Sequence, residues 1–219
     1  MKELDAHQLL TLASCTGTLA LATMALFRLS RGPLALPLAL LCLDLFALTA
    51  SDIGVNFTGA QQWLWLDAAA ASLLCPTALY FVRVFVGETR SRWLLRGVVI
   101  YFGGVACVCG SALLGIGWAQ EFAGTRQWAL TMLPGLLAGL IPIFVLLARH
   151  LGESAGRLER ARTWLVISAF GVAVLGNVTD LAADTGIGVP RLGPLGTSGW
   201  RRKRRMSVAS RMNFSTAHS

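Results

Sequence analysis

Long apolar stretches separated by short polar ones run along most of this 219-residue chain. A helix needs roughly 20 apolar residues to cross the hydrocarbon core of a bilayer. Because lipid offers no partners to the backbone, a spanning segment is either a helix or part of a closed barrel. These stretches are too long and too continuously apolar for barrel strands. The predicted fold is an all-α polytopic transmembrane helix bundle, with spans at about residues 9–27, 34–53, 68–86, 94–118, 128–148 and 164–183.

Composition supports a membrane protein and limits what its charge can mean. Hydrophobic residues make up 55% of the chain and charged residues 14%, which is unusual for a soluble domain. The net charge of +8 is concentrated after residue 199, where the chain has six of its 19 basic residues and none of its 11 acidic ones. Residues 1–199 are therefore nearly neutral, and we expect no nucleic-acid partner. Residues 200–219 are basic and rich in Ser, so we expect a disordered tail.

The charges between spans predict an orientation. Short cytoplasmic loops collect Lys and Arg. The first, third and fifth connections with their helix ends carry ten basic residues, whereas the opposite side carries three, namely Lys2, Arg126 and Arg191. We therefore predict a multi-pass protein of the inner (plasma) membrane with its N-terminus outside.

This orientation conflicts with the basic run Arg201–Arg205. Six spans would return that run to the outside, where positive charge is least expected. Two explanations are open at this stage. Either a seventh span follows residues 193–199 in the intact protein and is lost here by a frameshift or truncation, or one of the six predicted spans is wrong.

Motif searches favour no catalytic or metal-binding role. All five cysteines fall within predicted spans, and Cys107 and Cys109 point to different sides of one helix, so neither a zinc site nor a disulfide framework is expected. The lipoprotein-like box Leu12–Cys15 lacks the basic start of a signal peptide. Residues 184–190 resemble a nucleotide-binding glycine box but lack its surrounding fold. We expect no cofactor, no metal and no enzymatic activity.

Asp44 is the strongest candidate for a functional residue within a span. It lies near the middle of the second apolar stretch. A charged side chain at that depth costs about 2.5–3.5 kcal/mol on insertion scales, so it should face other helices, either paired or protonated. It is then either a ligand or proton site, or the acceptor of one hydrogen bond between helices.

A second polar group is predicted at the outer ends of the spans. Asn177 and Asp180 are three residues apart and share a helix face. Together with Asp52, Trp63 and Asp67 they can form the rim of an outward-facing pocket. Alternatively, all of these are ordinary interfacial residues, with Asp67 capping the third helix. Small residues at Gly135-xxx-Gly139 and Ser111-xxx-Gly115 predict close helix packing. The candidate ligand-binding residues are Asp44, Asp52, Trp63, Asp67, Asn177 and Asp180.

Three stretches resemble the N-terminal seven-transmembrane sensor module of bacterial histidine kinases and related signalling proteins. They are residues 38–52 with the following Trp63, Cys75-Pro76 with the downstream residues 80–83, and residues 186–196. The likeness covers roughly residues 8–197. It implies a seventh helix after the last stretch and a cytoplasmic output domain beyond it, and this chain departs from that pattern at Thr197.

The expected function is therefore a sensor-like input module of a signalling protein, in which helix shifts transmit a signal. Two alternatives are open: a small transporter or channel that uses Asp44, and a non-catalytic structural membrane subunit. The expected partners are the lipid bilayer and either a second copy of the chain or a signalling protein.

Overall fold

A computed structural model describes residues 6–88, 92–123, 125–153 and 156–184, with only the backbone described at 6–10, 31 and 176–184. Within these ranges the fold is all α-helical, apart from a short 3₁₀ turn at Leu29–Arg31. The helices are α1 (Ala6–Phe27), α2 (Ala35–Thr58), α3 (Gln61–Val86), α4 (Arg92–Leu113), α5 (Gly117–Phe122), α6 (Arg126–Glu153) and α7 (Arg157–Asp184). The predicted all-α class is confirmed.

Four of these helices, α2, α3, α4 and α6, are long and apolar enough to cross a membrane. They cover the second to fifth predicted spans. In α1 the apolar stretch within the described part is shorter, at Thr11–Phe27. The helix α7 covers the sixth predicted span, but its first turns carry Arg157, Glu159 and Arg160. The predicted tail at 200–219 lies outside the described residues.

Glycines in the left-handed backbone region end two of the helices. Gly59 closes α2 with φ 66°, and its N–H donates to the carbonyl of Val55. Gly87 closes α3 with φ 74°, and its N–H donates to the carbonyl of Val84. Both positions favour Gly, since a Cβ disfavours positive φ. The connections that follow are short, as the sequence predicts.

The predicted span at residues 94–118 is wrong at its C-terminal end. The helix α4 ends at Leu113, and the chain turns at Gly115 with φ 85° before α5 begins at Gly117. Apolar residues continue through this turn, so hydropathy does not mark the break. The predicted pair Ser111-xxx-Gly115 consequently does not form a helix-packing face, and Gly115 has no atom within 4 Å of an added Cβ.

The segment at residues 54–67, which separates the second and third predicted spans, is also largely helical. The helix α2 continues to Thr58 and α3 begins at Gln61, so only Gly59 and Ala60 connect them. Asp67 lies in the second turn of α3 and cannot be its N-cap, which is Ala60. The polar side chains of this segment are therefore held on two paired helices.

The helix α3 lies at the centre of the packing, in contact with α2, α4 and α6. It runs antiparallel to α2, because Thr77 contacts Asp44 whereas Asp67 contacts Ser51. It runs parallel to α6, where the ring of Phe85 lies 5.8 Å from that of His150. The core between these helices includes Cys75, Leu79, Val82, Phe102, Cys109, Met132, Ile143 and Leu147.

Close contact between α3 and α6 requires Gly139. A Cβ added there would overlap the sulfur of Cys75 on α3, while it would lie 3.8 Å from the Cβ of that residue. At Gly135, one turn earlier, an added Cβ would lie 2.5 Å from the ring of Tyr101 on α4. The small-residue pair predicted at 135 and 139 therefore does allow close packing, as expected.

We expect Gly139→Ala to lower the free energy of unfolding by about 1–3 kcal/mol, because the new methyl group overlaps the Cys75 sulfur. Cys75→Ala should largely restore stability to Gly139→Ala, since it removes only the overlapping atom. Gly103→Ala, which meets no atom within 4 Å, is the matched control. Unfolding in mixed micelles measures all four variants, and additive losses in the double variant would contradict this packing.

Candidate functional site

Asp44 is buried between α2 and α3, with 7% of its surface exposed. The hydroxyl of Thr77 on α3 lies 3.1 Å from its Oδ2. The prediction that this side chain faces another helix is confirmed. The site is thus one carboxyl group and one hydroxyl group that face each other across two apolar helices.

The Thr77 hydroxyl has competing acceptors. Its Oγ1 also lies 3.0 Å from the carbonyl oxygens of Leu73 and Leu74, one turn earlier in α3. A hydroxyl has a single proton to donate. When Asp44 is ionised, the hydroxyl donates to the carboxylate. When Asp44 is protonated, its own O–H donates to Oγ1, and Thr77 is free to donate to the helix carbonyls.

A second polar contact joins α2 and α3 nearer to their connection. The buried hydroxyl of Ser51 lies 3.0 Å from Oδ1 of Asp67. Asp52, the residue after Ser51 on α2, accepts a 3.3 Å hydrogen bond at Oδ1 from Nδ2 of Asn56 in the same helix. The structure therefore brings Asp52 and Asp67 to the same end of the helix pair, as the sequence predicts.

Trp63 is held against the backbone of α2. A Cβ added at Gly54 would lie inside the Trp63 indole, so the ring lies directly on that glycine. The ring is partly exposed. Trp63 thus fixes the distance between α2 and α3 near their connection, in addition to any role at a pocket rim.

Asn177 and Asp180 lie on α7, but their side chains are outside the described residues. The helix α7 packs on α6, and Phe170 approaches Phe81 of α3 with ring centroids 6.4 Å apart. A pocket that combines these two residues with Asp52, Trp63 and Asp67 stays a prediction.

Three partners in these contacts were not singled out from the sequence: Thr77, Ser51 and Ser72. Ser72 on α3 accepts a 3.4 Å hydrogen bond from Trp128 Nε1 of α6, and the Cys109 thiol of α4 also hydrogen-bonds to it. Thr77 is 33 positions from Asp44, so no local pattern connects them. Ser51 and Asp67 are 16 positions apart and Ser72 and Trp128 are 56 apart, so no local pattern connects these pairs either.

Among the described residues, no group of three or more His, Cys, Asp or Glu side chains is placed to hold a metal ion. The five cysteines form no disulfide, and three of them, Cys42, Cys75 and Cys109, are buried within helices. Cys107 is exposed whereas Cys109 is buried, in agreement with the predicted divergence of these two side chains. The chemistry that the described site supports is proton exchange and hydrogen bonding.

Comparisons with known proteins identify no relative. No protein-family model matches the chain, and neither the curated proteins nor the solved structures include a match.

We expect Thr77→Val to lower the free energy of unfolding by about 1 kcal/mol, because it removes the partner of a buried carboxyl group. Thr77→Ser keeps the hydroxyl and should retain most of the stability. The matched control is Thr49→Val on α2, since the Thr49 hydroxyl bonds only to carbonyls of its own helix. Unfolding in mixed micelles provides the values, and equal losses for the two valine variants would show that the Asp44 contact contributes nothing.

Proposed function

We propose that this chain is a sensor-like input module of a membrane signalling protein. In this proposal its helices form a six-span bundle in the plasma (inner) membrane with the N-terminus outside. The observation that carries the sensor role is the contact between Asp44 and Thr77. The stimulus changes the relation between α2 and α3, and small helix shifts pass the change across the membrane.

The contact has two alternative arrangements, which a sensor requires. With Asp44 ionised, the Thr77 hydroxyl bonds across the interface. With Asp44 protonated, that hydroxyl can bond to the carbonyls of Leu73 or Leu74. Bonds to helix carbonyls alter local helix geometry, since they bend the helix slightly. A proton taken up by Asp44, or a ligand that favours one state of it, therefore changes the shape of α3.

The spacing of the polar contacts favours a switch over a transport route. Asp44 and Ser51 are seven residues apart on α2, which corresponds to about 10 Å along the helix axis. This distance exceeds hydrogen-bond reach, so the Asp44 and Ser51 contacts do not form a continuous proton relay by themselves. Transport pathways typically contain chains of ionisable groups. A single carboxyl group with one hydroxyl partner suits a local change of state.

The basic residues of the described helices support the proposed orientation. Arg28 follows α1, Arg92 and Arg96 begin α4, and Arg157 and Arg160 begin α7. The antiparallel order of the helices places all of these at one end. At the opposite end, the described ranges contain Arg126 as the only basic residue. The positive-inside rule assigns the arginine-rich end to the cytoplasm.

Cysteine labelling in intact cells tests the orientation. We expect Ala60→Cys, between α2 and α3, to react with a membrane-impermeant maleimide from outside, whereas Glu88→Cys, just after α3, reacts only after the cells are lysed. The unsubstituted chain serves as the control for its native cysteines. The reverse pattern would show that the proposed orientation is wrong.

Hydrogen–deuterium exchange on the full chain in nanodiscs tests the sensor role. We expect acidification to change deuterium uptake in α3, and Asp44→Asn to reproduce that change at neutral pH, because Asn donates to Thr77 as a protonated carboxyl group does. The variant should no longer respond to acid. Glu153→Gln, at an exposed carboxylate on α6, should leave the response intact.

Proton flux in vesicles separates the sensor from the transporter. The sensor role predicts no flux that depends on Asp44. A flux that Asp44→Asn abolishes would support the transporter instead, and an acid response that persists in Asp44→Asn would refute the proposed switch.

A further inference from the structure

A stripe of exposed side chains runs along the whole length of α4. Its members are Trp93, Ile100, Cys107 and Leu114, which are seven residues apart and therefore lie close to one face of the helix. Trp93 is 80% exposed, Ile100 74% and Leu114 82%, and Cys107 is exposed as well. Of the four helices that are long and apolar enough to cross a membrane, α4 is the least buried within the described part of the chain. This face is thus free to contact a partner outside the fold.

The length of the α4 stripe matches the apolar thickness of a bilayer. Trp93 and Leu114 are 21 residues apart, which corresponds to about 32 Å along a helix axis. The hydrocarbon core of a typical bilayer is about 30 Å thick. The stripe therefore crosses the core with little tilt and does not extend far beyond it.

The turn at Gly115 brings a second tryptophan to the far end of the stripe. If α4 continued as a regular helix, Trp118 would lie about 38 Å from Trp93, well outside the core. Instead, Gly115 takes φ 85°, and Gln120 Nε2 of α5 donates to the carbonyl of Ala112 at 3.1 Å. This bond holds α5 beside the last turn of α4, where Ala112 lies about 28 Å along the helix from Trp93. Trp118 is 61% exposed there.

Tryptophan suits both ends of such a stripe. Its ring is apolar and its Nε1–H is a hydrogen-bond donor, so it is enriched where hydrocarbon meets headgroups. Trp93 follows the exposed Arg92, and Trp118 comes shortly before the exposed Glu121, so each ring lies between apolar and charged residues of the chain. The spacing favours lipid over a second copy of the chain, because a protein interface has no fixed thickness to match.

From these observations we infer that Trp93 and Trp118 anchor α4 in the two headgroup boundaries of the bilayer. Between them, Ile100 and Leu114 contact the acyl chains. The turn at Gly115 keeps Trp118 at its boundary, which gives this break in an apolar segment a function. The inference needs α4 to span the membrane. It depends neither on the sensor role of Asp44 nor on which leaflet is cytoplasmic.

Fluorescence quenching by brominated phosphatidylcholine tests the depth of each ring in vesicles that contain the full chain. Trp93→Phe and Trp118→Phe each remove one ring, so the difference from the unsubstituted chain is the emission of that ring. We expect bromines near the headgroups to quench this emission strongly, and bromines at the acyl-chain ends or aqueous iodide to quench it weakly. Trp128→Phe, at a buried tryptophan of α6, is the matched control, whose emission should be quenched little by all three.

The other quenching patterns would overturn the inference. Strong quenching by iodide would place the ring in water, and stronger quenching by the deep bromines would place it within the core. Emission that none of the three quenches would show that protein covers the ring, as a second copy of the chain would.

Bilayer thickness provides an independent test. In phosphatidylcholines of increasing acyl-chain length, the melting temperature of the unsubstituted chain should be highest where the core is about 30 Å thick, because both rings then reach their boundaries. Trp93→Ala combined with Trp118→Ala should weaken this dependence, whereas Ile100→Ala, in the middle of the stripe, should keep it. A melting temperature that does not depend on thickness in the unsubstituted chain, or a dependence unchanged in the double variant, would refute the anchoring role.

Discussion

Lipid offers no hydrogen-bond partner, so each polar side chain within an apolar helix depends on the protein for one. Among the described residues, most of those partners are carbonyls of the same helix, whereas α3 takes part in each of three hydrogen bonds between side chains of different helices. Thr77 faces Asp44, Asp67 faces Ser51, and Ser72 receives Trp128. Because these three contacts reach α2 and α6, they fix how α3 is rotated relative to its neighbours. The rest of the packing, including the glycine contact at Cys75, forms around a helix whose orientation is already determined.

The sequence predicted the helices well where the signal is local. Continuous hydropathy located α2, α3, α4 and α6, since the need for about 20 apolar residues is a property of each segment alone. Hydropathy did not locate the helix ends in two places. The turn at Gly115 is as apolar as the helix before it. The polar residues before Asp67 suggested a loop, but they are helical, and Asn56 and Thr58 find their hydrogen-bond partners, Asp52 and the carbonyl of Gly54, within α2 itself.

Of the two residues that form the candidate site, the sequence predicted Asp44 but not Thr77. Asp44 was identifiable because an isolated carboxyl group in an apolar stretch has an energetic cost that composition alone reveals. Its partner was not identifiable, since a threonine 33 positions away has no feature that distinguishes it from other threonines. Arg83 could be placed near a helix end, but the sequence could not show that its side chain is buried. The proposed switch depends on such a distant contact.

The connection between α2 and α3 has only two residues, Gly59 and Ala60, and Trp63 lies on Gly54 beside it. The two helices are thus held close together at one end, and a change in the angle between them pivots about this connection. Thr77 lies about 24 Å along α3 from Gln61, and Arg83 lies about 33 Å from it. A change in the angle between the two helices therefore moves the Asp44 contact about three quarters as far as it moves Arg83, and moves the arginine-rich end of α3 the most.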